Sequence, residues 1–232
     1  MIVAIHQPQY LPWLPYLAKI AESDVFILLD SVDYQKNGLQ NRNKIKTSQG
    51  AQWLTVPVHH HLGRKISEIE IDNRTNWRKK HWQSIQQNYA RAGAGASYAG
   101  ELEAVYGESW ASLCDLNVRL LTLMLGWGGI TTRVIRSSEM ASVGVASELV
   151  LNLCVEAGAT RYVSGTGGRN YLDDGAFRAA GIEVVYREAS LPASYPQRHP
   201  DHGFLNDLSA LDVILNCGPD WRTFLPVRED TR

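Results

Sequence analysis

Val25-Phe26-Ile27-Leu28-Leu29 offers no polar side chain to either side of an extended chain, so as a strand it must be covered on both faces. Ile2-Val3-Ala4-Ile5 has the same character. Between the two, Tyr16–Ala21 reads as a short helix with Tyr16, Leu17 and Ile20 on its buried side and Pro15 in its first turn. Strand, helix and buried strand form the opening unit of a parallel sheet. Similar alternation returns late: strand Arg161–Val163, helix Asp173–Ala180, strand Ile182–Tyr186. Ser147–Ala157 reads as another helix, stopped by Gly158. The pattern predicts an α/β fold, a Rossmann-like three-layer sandwich with a mostly parallel sheet and right-handed crossovers.

The middle of the chain has a different texture. Gln52–Val58 and Ile66–Ile71 read as strands around His59-His60-His61, which a polar hairpin loop explains better than a metal site, because consecutive extended residues point in alternate directions. Asn73–Arg91 and Glu101–Leu125 read as helices, the second broken near Gly107, with the Gly/Ala-rich segment 92–100 as a linker. Leu113, Leu116, Leu120, Leu121 and Met124 give a core-facing stripe. Residues 1–232 are therefore expected to form one α/β domain, with a mostly helical insertion or cap around 73–128. That apolar block could equally cover the sheet or face a second subunit, and the oligomeric state stays open.

In open α/β sheets, ligands gather beyond the carboxyl ends of the strands. His6 and Gln7 stand at the first such end and Asp30 at the second, followed by a polar loop with Lys36, Asn41, Arg42 and Lys44. A neutral-pH acid/base, a carboxylate and cations make a plausible catalytic set if they open into one pocket. Ser164-Gly165-Thr166-Gly167-Gly168-Arg169 is a second anion-binding candidate; a tight turn explains its glycines equally well, and Arg169 tips the balance toward an anion. Tyr10, Tyr195 and Gln197 are the candidate substrate contacts, the latter two in a long polar loop that a plain surface excursion would also explain.

No GxSxG elbow, Cys-His arrangement or pair of catalytic carboxylates is present, which argues against serine and cysteine hydrolases and glycosidases. The net charge of −1 gives no support to nucleic-acid binding. Cys114, Cys154 and Cys217 form neither a metal knuckle nor a disulfide framework, no run is long enough to span a membrane, and no signal peptide is visible. A cytoplasmic protein without an intrinsic metal or flavin is expected.

The motifs His6-Gln7-Pro8-x-Tyr10-x-Pro12, Ser23-Asp24 through Asp30, Gln35-Lys36, Asn41-Arg42-Asn43, Ser164-Gly165-x-Gly167-Gly168 with Tyr171-Leu172, and Leu208-Ser209-x-Leu211-Asp212 up to Gly218 resemble those of the WbqC-like family of bacterial proteins. The resemblance spans nearly the whole chain and implies a role in O-antigen or other polysaccharide synthesis. The opening strand-His6-Gln7-Pro8-helix-strand unit is also similar to that of HIGH-type nucleotidylyl transferases and pantothenate synthetase, which implies ATP with Mg²⁺ as a co-substrate. Their HxGH motif is missing here, since Leu11–Tyr16 occupies its place. The resulting expectation is an enzyme acting on a nucleotide-linked amino sugar by amide (aminoacyl) transfer, through an adenylate. The alternatives are a non-adenylating nucleotidylyl, glycosyl or acyl transferase, or a non-catalytic binding or assembly protein.

Overall fold

The computed structural model describes residues 1–59 and 63–225. In chain order the strands are β1 (Ile2–His6), β2 (Val25–Leu28), β3 (Arg42–Thr47), β4 (Gly50–Thr55), β5 (Val58–His59), β6 (Glu70–Ile71), β7 (Arg133–Arg136), β8 (Arg161–Gly165) and β9 (Glu183–Arg187). The helices are α1 (Leu14–Ala21), α2 (Trp77–Tyr89), α3 (Gly95–Gly107), α4 (Leu113–Trp127), α5 (Ala146–Glu156), α6 (Asp174–Ala179) and α7 (Ala210–Cys217). His60 and His61, two of the three adjacent histidines, lie outside the described residues.

Five strands form one sheet in the order β7-β2-β1-β8-β9, and every neighbouring pair is parallel. Taken in chain order these strands sit 3-2-1-4-5, the doubly wound arrangement. Side-chain alternation divides the sheet between two cores. Ala4, Phe26, Leu28 and Val163 face α1, the α2–α4 block and α7. Val3, Ile5, Val25, Ile27 and Tyr162 face α5 and α6 through Leu149, Leu153, Cys154 and Phe177. This is the α/β/α sandwich expected from strands with no polar face.

The connection from β2 to β7 carries both small hairpins and helices α2–α4. It shares the first core rather than building its own: Trp77, Ile85, Leu113, Leu116 and Leu120 are buried together with Phe26 and Leu17.

Three local expectations are corrected. The basic loop through Arg42 is strand β3, paired antiparallel with β4. Asn43, Ile45 and Thr47 turn inward, while Arg42 and Lys44 flank the Trp53 ring on the outside. Arg42 and Lys44 mark the strand's outer side in a period-two pattern, whereas Lys46, next in the same alternation, is covered and buried. The return strand at Ile66–Ile71 is a 3-10 turn, Ile66–Glu68, followed by two-residue β6. The 92–100 linker ends early, because α3 starts at Gly95. A Cβ on Gly95 would lie 1.8 Å from the Tyr89 carbonyl oxygen, and one on Gly93 would lie 2.6 Å from that of Asn216. The glycines there permit a tight helix-helix turn.

Candidate functional site

The strand order reverses between β1 and β8, and a crevice of about 590 Å³ opens at that point. In doubly wound sheets this is where ligands bind. His6 from the end of β1, Val163–Gly165 from β8, Tyr186 and Arg187 from β9, Tyr16 and Lys19 from α1, and Glu22 just after it line the crevice.

His6 reaches the crevice because β1 alternates: Val3 and Ile5 go to the α5 side, so Ala4 and His6 go to the α1 side. Its ring meets Tyr16 edge-on, with centroids 5.1 Å apart. Nδ1 lies 3.2 Å from the Gln7 carbonyl, which also accepts the Tyr16 hydroxyl at 3.2 Å. A carbonyl can only accept, so Nδ1 carries the proton and Nε2 keeps its lone pair. Burial, reinforced by the nearby Lys19 ammonium, lowers the imidazole pKa to about 4, so the ring is neutral at physiological pH. Lys19 donates to the Ile5 carbonyl at 2.8 Å, and burial lowers its pKa to about 8. Arg187 and Glu22 close the far side of the crevice with a 3.6 Å ion pair. The Arg169 guanidinium stacks over Tyr186, 4.3 Å from the ring centroid.

Of the glycine loop, Ser164 and Gly165 line the crevice. Gly168 is a steric requirement, since a Cβ would sit 2.2 Å from Ser164 Oγ and 2.8 Å from Leu172 Cδ1. Gly165 and Gly167 have open space where a Cβ would go, so packing explains only one of the three.

The other sequence-derived candidates stand elsewhere. Asp30 is fully buried and turned toward β7 instead of His6. Its Oδ1 accepts from Ser137 Oγ (3.1 Å) and the Ser138 N–H (2.8 Å). Its Oδ2 accepts from Arg136 Nε (2.7 Å), Ser138 Oγ (2.8 Å) and Cys114 Sγ (3.5 Å). The reason lies in strand order. Arg136 ends β7 opposite Leu28, so a cation stands beside the carboxylate on the side away from β1. With both oxygens surrounded by donors, Asp30 has no coordination left for Mg²⁺. Among the described residues no three His, Cys, Asp or Glu side chains gather around a common metal position.

Lys36 is exposed. The Gln7 side chain turns from the crevice to accept from Gln40 Nε2 at 2.7 Å. Asn41 donates to the Val56 carbonyl at 2.8 Å, and Arg42 to that of Asn37 at 2.7 Å. Tyr10 is buried, its hydroxyl 2.8 Å from His81 Nδ1 and 2.6 Å from the Tyr106 hydroxyl. Tyr195 and Gln197 are half-buried and belong to a polar lock around buried Asp212, Tyr89 and Lys46. Tyr89 and Tyr195 donate to the two oxygens of Asp212 at 2.6 and 2.8 Å, while Lys46 and Leu205 N–H bond to Gln197 Oε1 at 3.0 Å each.

Sequence reasoning missed Lys19, Arg187 and Glu22. Lys19 carried a signal: it is the one charged residue in Leu14–Ala21, three positions from Tyr16 and three from Glu22, which places all three along one helix side.

Fold and crevice together define a doubly wound α/β protein with a cleft of mixed polar and apolar lining at its topological switch point. The chain belongs to the WbqC-like protein family, whose model matches residues 7–223. It is 38% identical over 226 residues, covering 96% of each chain, to the uncharacterized protein Rv1507c of Mycobacterium tuberculosis (strain ATCC 25618 / H37Rv). No solved structure matches it. Among the described residues no helix is long and apolar enough to cross a membrane.

Proposed function

We propose that the protein is an enzyme of surface-polysaccharide synthesis that acylates the amine of a nucleotide-linked amino sugar in the switch-point crevice. One observation carries this reading: a neutral imidazole with an unengaged Nε2 in a cleft that also holds Lys19 and Arg187, with Arg169 stacked on Tyr186 of its lining. An amine can attack an acyl carbon only as a free base, and it must lose a proton as the C–N bond forms. In this reading ATP, with Mg²⁺ carried on its phosphates, first activates the acyl group as an adenylate with release of pyrophosphate. The sugar amine then attacks, AMP leaves, and His6 Nε2 receives the amine's proton. Lys19 and Arg187 hold anionic groups of the substrates, and the open backbone at Gly165 and Gly167 lets a phosphate approach.

Purified protein incubated with ATP, Mg²⁺, glycine and a dTDP-amino sugar is expected to release AMP and form the acylated sugar. His6→Ala is expected to slow this by about 10²–10⁴-fold. If neither AMP nor acylated sugar forms across a panel of amino acids, acyl donors and amino sugars, the acylation reading fails. A second reading, transfer without adenylation, draws on the absence of HxGH at Leu11–Tyr16. Pyrophosphate released from a nucleoside triphosphate and a sugar phosphate, with no amide formed, would select it.

A further inference from the structure

A second cavity of about 450 Å³ lies away from the crevice, between the α2–α3 turn, the loop after β9 and the end of α7. Arg91, Gly93, Arg198, His199, Asp201 and Asn216 line it. Arg198 Nη1 donates to the Arg91 carbonyl at 3.3 Å, while its buried Nε has no partner. His199 Nε2 is likewise buried without a partner. Neither arginine forms an ion pair with a carboxylate among the described residues, so only exposed Asp201 offsets the cations in the lining. Unsatisfied buried nitrogens each cost free energy unless something else bonds them.

The backbone adds an independent sign. His199 is held at φ 57°, a left-handed conformation that a histidine adopts at a cost. The loop around it is braced. Gln197 is tied to Lys46 and Leu205, His202 donates through Nε2 to the Ser48 carbonyl at 2.8 Å, and Gly93 packs too closely on Asn216 for any larger residue. Burial and then the charges of Arg198, Lys46 and His202 lower the His199 pKa, with Asp201 opposing them. The elements are two arginine side chains and the His199 ring in the lining, set on a rigid frame.

We infer that this cavity is an anion site taking a phosphate-type oxyanion carried on a small molecule, held by Arg91 and Arg198 with the His199 ring beside them. Its volume exceeds what a bare phosphate fills and lies in the range of small-molecule pockets. The inference stands apart from the acylation reading and uses none of the crevice residues.

Binding of inorganic phosphate, glucose 1-phosphate and UDP to the full chain would be measured by calorimetry, with wild type, R91Q/R198Q and His6→Ala. Phosphate is expected to bind wild type and His6→Ala equally, and at least about tenfold more weakly to R91Q/R198Q, since charge-assisted bonds dominate oxyanion capture. At least one of the phosphorylated compounds is expected to bind wild type more tightly than phosphate, and that gain is expected to disappear in R91Q/R198Q. An unchanged circular dichroism spectrum and melting temperature without anion would show that R91Q/R198Q still folds. Absence of phosphate binding in wild type, or affinity in R91Q/R198Q within twofold of wild type, would overturn the site. So would binding lost in His6→Ala but kept in R91Q/R198Q. Neither organic phosphate gaining over inorganic phosphate would overturn its assignment to a small molecule.

Discussion

Asp30 shows how strongly a residue's role depends on its neighbours across the sheet. Burial alone would raise its pKa, but the Arg136 bond and the two Ser138 bonds outweigh it and hold the carboxyl below its ordinary value. Replacing it with Asn puts a neutral amide against Arg136, which is part-exposed and keeps Asp115 at 2.8 Å, so the cost is that of weakened bonds around a buried acceptor, about 1–3 kcal/mol. We expect Asp30→Asn to lower the urea midpoint by a corresponding amount at neutral pH. Because the folded pKa is depressed, the stabilising contribution is complete above the ordinary carboxylate range, near pH 4, and disappears as pH falls through the lower folded value. The gap between wild type and variant should therefore narrow in acid; a constant gap would mean that charge is not what Asp30 contributes. His6 differs in lining a cleft with Nε2 unengaged, and that distinction, rather than residue type, separates a candidate base from a structural anion.

Among the elements, the glycine loop after β8 is open to a direct comparison. Gly168→Ala forces a methyl against Ser164 and Leu172, and overpacking of that kind costs about 1–3 kcal/mol. Gly167→Ala meets open space and should change stability by less than about 0.5 kcal/mol, so any loss of nucleotide affinity in it reads directly on ligand approach. Thermal melts with and without UDP would check both. The polar lock under the loop after β9 gives another expectation. Tyr89→Phe leaves Asp212 Oδ1 and the Lys46 N–H without a partner each, for a loss of about 1–3 kcal/mol. Faster amide hydrogen exchange across residues 195–205 would accompany it.

The strands of the parallel sheet and most helices were legible in the sequence, since apolar runs and 3.6-residue stripes report burial directly. β3 was not, because charged residues on the outer side of a half-buried strand look like a charged loop. The structural roles of Tyr10, Tyr195 and Gln197 were also hidden. Their partners His81, Tyr106, Asp212 and Lys46 come from distant parts of the chain, and only the fold brings them together. At the crevice, His6 and the glycine loop could be found from strand ends, whereas Arg187 required knowing that β9 lies two strands from β1.

For the molecule as a whole, two histidines with lowered pKa contribute to its acid tolerance. Burial lowers the pKa of both His6 and His81 to about 4, from an ordinary 6.5. The unfolded chain therefore takes up protons near pH 6.5 while the folded chain refuses them until about pH 4, so stability declines across that window as pH falls. Urea midpoints measured from neutral pH down to about 4.5 should show this slope, and His81→Gln should make it shallower. An unchanged slope would place the effect elsewhere. The sheet order carries a consequence for synthesis on the ribosome. The imidazole at position 6 emerges first, yet the strand that forms the other wall of its cleft begins at residue 161. A nascent chain exposes an unpaired edge of β1 throughout that interval, and chaperone binding to partial-length chains should fall off once β8 has left the exit tunnel.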